Sequence, residues 1–404
     1  VVWTARNVIL RDENAVRAFF SHPILIVCWL YLLSTLPSFV NARDFTSAFL
    51  FLTTKLLAYV VLASIIADMV RTRDRLASLC KTVLSISLIV VGIFGSYELA
   101  SGNSILSFFG LDYHLISGSS EGILATTKTD VLSVDREAEW FRVASTYLDP
   151  DLFCVFVILS LGYAMGLWHL TVSGFWRAII VIYFPLAHAM LIATGSRSGF
   201  LAIFAFWIMV LFMFRVRFRI ALITFSCAGI LCLIPFLHEL FPAYRSGISM
   251  DAFHSDARYG FWKTGINMIR DKPLIGIGLA NFTAEYFDYS SPSAIKGKAY
   301  MAHNIFLQVL SETGLIGLVF FLALIFSVLT TLWRMIRDSK DAEIVNLSKC
   351  LFVSGVSCVP LALTHNVLDL AYLWITLGVI VAVCNLDSGA SADSKHNEMS
   401  GVLC

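Results

Sequence analysis

Charge is what this sequence has little of. Only 14% of its residues are Asp, Glu, Lys or Arg, against 58% hydrophobic, whereas a water-soluble domain carries about 25% charged residues. That shortfall excludes an ordinary soluble enzyme and points to a polytopic membrane protein. The formal net charge of +1 excludes little, because in such a protein the placement of charge matters more than its sum. The polar loops also lack cysteine. Nine cysteines are present, but they fall in the apolar runs, at their inner ends or in the tail. A disulfide framework is therefore not expected, and the cysteines read as small buried apolar residues. A cleavable leader is not visible either, since 1–20 is too polar.

What is there is a series of apolar runs near the span length of about 20 residues. Ten are read, at 22–40, 46–67, 82–100, 152–170, 178–194, 198–214, 220–238, 314–333, 347–364 and 369–385. The expected fold is an all-α bundle of transmembrane helices. Lys and Arg are densest in the short segments around 1–21, 68–81, 215–219 and 334–349, so both termini are expected inside. The long polar stretches 101–151 and 239–302 then face out. The domain reading is 1–238 for the first spans with their exported loop, 239–313 for a large exported loop, 314–386 for the last spans, and 387–404 for a polar, disordered tail.

The stretch 243–319 is the longest polar interruption, and it is read as a cap over one end of the bundle. Its segment 256–270 has the pattern of an amphipathic helix lying on the membrane, with Phe261, Trp262, Ile266 and Ile269 on one side. Pro273 ends that helix, and Gly276 and Gly278 permit tight turns. From His303 to Trp333 the run is too long for one perpendicular span. A short helix is expected at 304–311, with a break near Gly314 that leaves Glu312 at the membrane surface.

Several residues at the outer ends of the spans are candidates for chemistry. Gly195-Ser196-Arg197-Ser198-Gly199 joins two spans with almost no loop. Ser196 or Ser198 can cap the second helix, whose first N–H groups make an anion site beside a bidentate Arg197. Arg258 opens the next amphipathic helix. His303 is the base candidate facing the same compartment, with Asn304 beside it and His365-Asn366 as a second His-Asn pair. Arg142, flanked by Trp140 and Phe141, reads equally as a lipid-headgroup contact or a substrate contact. Asp149-Pro150-Asp151 resembles a metal-holding Asp-x-Asp, but helix capping by Asp149 accounts for it better. Lys55 is the one basic residue inside a span and reads as snorkelling or facing the bundle.

These residues together resemble the O-antigen ligase and polymerase superfamily. The resemblance rests on Ser196–Gly199 after a span, on Arg258 and Trp262 followed by DKPLIGIGLANF at 271–282, and on His303-Asn304 followed nine residues later by Gly314-Leu-Ile-Gly317. The segment THNVLDLAYLWITLGV at 364–379 is also similar. The family often has Pro-Asn where this chain has Pro150-Asp151. It usually shows about twelve spans, so ten fit either a chain missing two at its start or a departure from the pattern.

The resemblance implies a multi-pass enzyme of the bacterial inner membrane with its site facing the periplasm and both termini cytoplasmic. It implies metal-independent, cofactor-free glycosyl transfer. The donor would be a glycan on undecaprenyl pyrophosphate, and the acceptor a lipid A core or, for a polymerase, another lipid-linked glycan. His303, Arg197 and Arg258 would be catalytic. Arg142, Ser196, Ser198, Asn304 and His365 would bind substrate. Membrane lipids are the other expected partners, and nucleic acid is not one. A transporter or flippase is the reading from another class, but it would want charges and broken helices at mid-membrane.

Overall fold

The computed structural model describes residues 22–101, 105, 143–147, 149–170, 173–214, 257–290 and 299–401, with side chains described to 388. It is an all-α polytopic membrane protein, and the described residues contain no strand. Among them, nine helices are long and apolar enough to cross a membrane. These are α1 (Pro23–Asn41), α2 (Phe45–Met69), α3 (Arg73–Ser101), α4 (Pro150–His169), α5 (Gly174–Ala193), α6 (Arg197–Phe214), α9 (Ile305–Asp338), α10 (Ala342–Ala362) and α11 (Ala371–Ser388). Each matches an expected run. The tenth, 220–238, and Arg142 lie outside the described residues.

Two shorter helices, α7 (Ala257–Asp271) and α8 (Phe282–Tyr289), lie between α6 and α9. The last helix continues to Gly401, through the segment expected to be disordered. That segment contains no proline to end it.

The bundle is built around α4, which is apolar all round and the most enclosed of the spans, as a helix without a polar face must be. It packs on α10 and α3, while α11 packs on α2, and α9 packs on α1 and α10. Gly162 of α4 brings the two backbones close, because a Cβ there would collide with Ser354 of α10. In lipid, close backbone approach of this kind is a main source of helix association.

The apolar faces that remain, such as Ile182, Phe204, Phe212 and Phe326, point away from the bundle. Cys28, Cys80, Cys154, Cys350 and Cys358 are buried, as the sequence implies.

Lys55, the basic residue inside a span, has a carboxylate partner. It lies in a π-helical turn of α2 (Leu52–Leu57), and its Nζ is 2.9 Å from Asp369 Oδ1. Tyr59, one turn on, donates to the Asp369 carbonyl at 3.0 Å. The pair ties α2 to the turn before α11.

The helix ends sort into two sets. At one end α1 turns into α2, α4, α6 and α9 begin, and α10 turns into α11. The other end carries the α2–α3 and α9–α10 turns, joined there by Arg73, which reaches Asp341 and, at 3.0 Å, Glu343. The candidate site lies at the first end.

Candidate active site

The site is assembled around the start of α9. Asn304 caps that helix, its Oδ1 accepting from the N–H groups of Phe306 at 3.0 Å and Leu307 at 3.1 Å, which occupies the carboxamide oxygen in capping. His303, just before the cap, has a φ of +48°. A left-handed backbone is strained for a residue with a Cβ and collects at functional positions. Nine residues into the helix, Gly314 has φ 67° and ψ −169° and breaks it, at the position where the sequence puts the break.

A broken helix leaves backbone groups that need partners, and lipid supplies none. The loop after α7 supplies them. Ile277 N–H donates to Ser311 O at 2.9 Å and Gly278 N–H to Glu312 O at 3.0 Å, while Leu315 N–H donates to Pro273 O at 2.9 Å and Ile316 N–H to Leu274 O at 3.2 Å. Gly276 and Gly314 make this pairing possible. A Cβ on the first would collide with the Glu312 carbonyl, and one on the second with the Leu274 carbonyl. The DKPLIGIGLANF stretch and the Gly314-x-x-Gly317 stretch are thus two halves of one structural unit.

Glu312 closes the unit from inside. It is buried within the protein, and its carboxylate accepts from the N–H of Ala280 at 2.9 Å, the N–H of Phe282 at 3.2 Å and Gln308 Nε2 at 2.6 Å. The loop is also pinned to the α1–α2 turn. Asn41 Nδ2 donates to Gly276 O at 2.7 Å, Leu279 N–H to Ser38 Oγ at 3.1 Å, and Asp44 N–H to Asn281 Oδ1 at 2.6 Å. His303 therefore stands on a helix start fixed from three sides.

α7 packs on this platform through the stripe of Phe261, Thr264, Gly265 and Met268, which are buried, whereas Ile266 is exposed. Gly265 makes a tight contact there, since a Cβ on it would lie 3.0 Å from Leu307 and 3.3 Å from Phe282. Arg258 lies one turn before Phe261 on the same stripe. Phe261 stacks on His303 with ring centres 5.4 Å apart.

On its other side His303 meets His365, edge to face, with ring centres 5.2 Å apart. His365 is held in turn by Asp151, whose Oδ2 lies 2.9 Å from Nε2. Asp151 Oδ1 accepts from both serines of the α5–α6 junction: Ser198 at 3.1 Å, and Ser196. Ser196 Oγ also accepts from Gly199 N–H at 2.8 Å, which makes it the expected cap of α6, and Arg197 is exposed beside it in the first helical turn.

Asp149 behaves as expected, capping α4 through the N–H groups of Asp151 and Leu152. Capping by Asp149 leaves Asp151 without a role of its own at the helix start. It is instead the buried centre of a network joining α4, α6 and the α10–α11 turn.

The charges around His303 set its basicity. Burial, the strongest influence, then His365 and Arg258, drive its pKa down from 6.5 to about 3, with Asp151 acting weakly the other way. The ring is therefore neutral over the whole physiological range and can accept a proton. Asp149, Asp151 and His365 also offer ligand atoms within 4.8 Å of one another, a spacing a metal ion could use. Those oxygens and the imidazole nitrogen already satisfy one another and the serine hydroxyls, so the set is complete as a hydrogen-bond network.

Residues 179–322 match the Wzy_C family model, described as O-antigen ligase. Over that stretch the chain is similar to this family. The matched stretch includes Arg197, Arg258, the glycine-locked loop, His303 and the break at Gly314. Asp151 and His365 lie outside the match, on either side of it. No curated protein matches the chain.

Proposed function

We propose that this protein transfers a glycan from undecaprenyl pyrophosphate to an acceptor hydroxyl, at the periplasmic face of the bacterial inner membrane. The observation that carries this reading is the setting of His303. It is a neutral imidazole at a strained helix start, inside the stretch that matches the O-antigen ligase family model, beside Arg258 and linked through His365 and Asp151 to the junction bearing Arg197.

The chemistry follows from the residues. The acceptor oxygen attacks the sugar's anomeric carbon, and His303 takes the hydroxyl proton. The bond from that carbon to the pyrophosphate oxygen breaks, and its electron pair leaves with the pyrophosphate. Arg197, Arg258 and the start of α6 hold the charge that develops there. One displacement inverts the anomeric centre, and no step calls on a metal ion. A lipid A core is the acceptor in the ligase form of this reading. A second lipid-linked glycan in the same place makes the protein a polymerase.

Purified protein given an undecaprenyl-pyrophosphate-linked glycan and either acceptor, with and without EDTA, tests the reading. The expected result is EDTA-insensitive attachment to lipid A core. Attachment only to a second lipid-linked glycan identifies a polymerase. No transfer to either acceptor, or transfer abolished by EDTA and restored by a divalent ion, contradicts the proposed chemistry.

A further inference from the structure

Two buried titratable residues, Asp151 and His365, are left over once the reaction has been assigned to His303 and the two arginines. Both sit beyond the matched stretch, yet they touch it from both sides. His365 is fixed at each nitrogen, with Nε2 at 2.9 Å from Asp151 Oδ2 and Nδ1 at 3.3 Å from Thr364 Oγ1. Its ring orientation toward His303 is therefore set. Asp151 is fixed by the two serine hydroxyls next to Arg197.

We propose that Asp151 and His365 are a positioning pair for His303, which fixes the orientation of the base against the acceptor. The inference rests on the glycosyl-transfer reading. The groups facing His303 are Arg258 from α7, His365 from the α10–α11 turn and Asp151 from α4, with Tyr300 stacked behind Phe261. His365 touches no reacting atom in this scheme and acts through His303.

The test splits kcat from donor KM and compares single with double variants. His365→Asn removes the ring that abuts His303, and its kcat is expected to fall by about 10²-fold, the usual scale for a misplaced catalytic group, with donor KM unchanged. His365→Gln keeps an amide donor that reaches toward Asp151, and it is expected to show a smaller fall in kcat, again with donor KM unchanged. It also serves if the Asn variant does not fold. Asp151→Asn combined with His365→Asn should lose no more than the worse single variant, because coupled residues are non-additive.

An unchanged kcat in both His365 variants, a loss carried by donor KM instead, or additive losses in the double variant overturns the inference while wild-type transfer leaves the functional reading standing. Absence of wild-type transfer fails the functional reading itself.

Discussion

Gly276 presses against the carbonyl of Glu312 so closely that no side chain fits between them, and Gly314 presses in the same way against the carbonyl of Leu274. Each glycine also has a positive φ, 73° and 67°. An alanine at either position meets a collision and a left-handed backbone together, and the backbone alone costs about 1–3 kcal/mol. Gly276→Ala and Gly314→Ala are expected to lower the thermal midpoint of the detergent-purified protein and to abolish transfer. Wild-type stability in either variant would show that the loop and the broken helix are not locked together.

Glu312 gives a second handle on the same unit. Glu312→Ala leaves the N–H groups of Ala280 and Phe282 buried without acceptors, at about 1–3 kcal/mol each. Glu312→Gln keeps one acceptor oxygen but turns an amide donor toward the other N–H. Thermal unfolding should therefore rank the proteins wild type, Gln, then Ala. A Gln variant less stable than the Ala variant would show that these hydrogen bonds are not what Glu312 contributes.

His303 should leave a signature in acid stability. The folded protein keeps this imidazole unprotonated down to a pKa of about 3, whereas the ordinary value is 6.5. Below pH 6.5 the unfolded chain binds a proton that the folded chain does not. The stability this group contributes is thus complete above pH 6.5 and declines as pH falls from 6.5 toward 3. Thermal scans from pH 7.5 to 5 should show wild type losing more stability than His303→Gln. Parallel losses would mean that His303 protonates normally in the folded state.

The Lys55–Asp369 pair predicts a rescue. With Lys55→Met, Asp369 loses its cation among apolar helices, an environment where an uncompensated charge is costly. Accumulation of folded protein is expected to drop in Lys55→Met and to recover in Lys55→Met with Asp369→Asn. A single variant that accumulates as well as wild type would make the pair incidental.

Much of this was legible in the sequence because membrane spans are written in composition. Nine expected runs meet nine apolar helices, and the break at Gly314 follows from a run too long to span once. The end of the bundle carrying Arg197, Arg258 and His303 follows from their places at span ends. What stayed hidden depends on partners distant in the chain. Asp151 looks complete as a helix-end residue, because Asp149 already caps and nothing local announces His365, which lies far along the chain. The partners of Glu312 and Lys55 were hidden for the same reason: Ala280 and Asp369 come from other segments. The contact of α7 with the platform was hidden because the close approach is made at Gly265, which carries no hydrophobic signal. A repeated cue was available. His-Asn occurs twice at helix junctions, and the two histidines prove to be in contact.

The central claim is that His303 accepts the acceptor's proton while Arg197 and Arg258 hold the pyrophosphate. The most direct measurement is transfer by the purified protein from an undecaprenyl-pyrophosphate-linked glycan, with donor binding recorded separately. His303→Ala is expected to bind donor like wild type and to lose about 10²–10⁴-fold in transfer rate. Arg197→Lys and Arg258→Lys are expected to weaken use of the donor, because a lysine cannot make the bidentate phosphate contact. Transfer by His303→Ala at the wild-type rate would contradict the account.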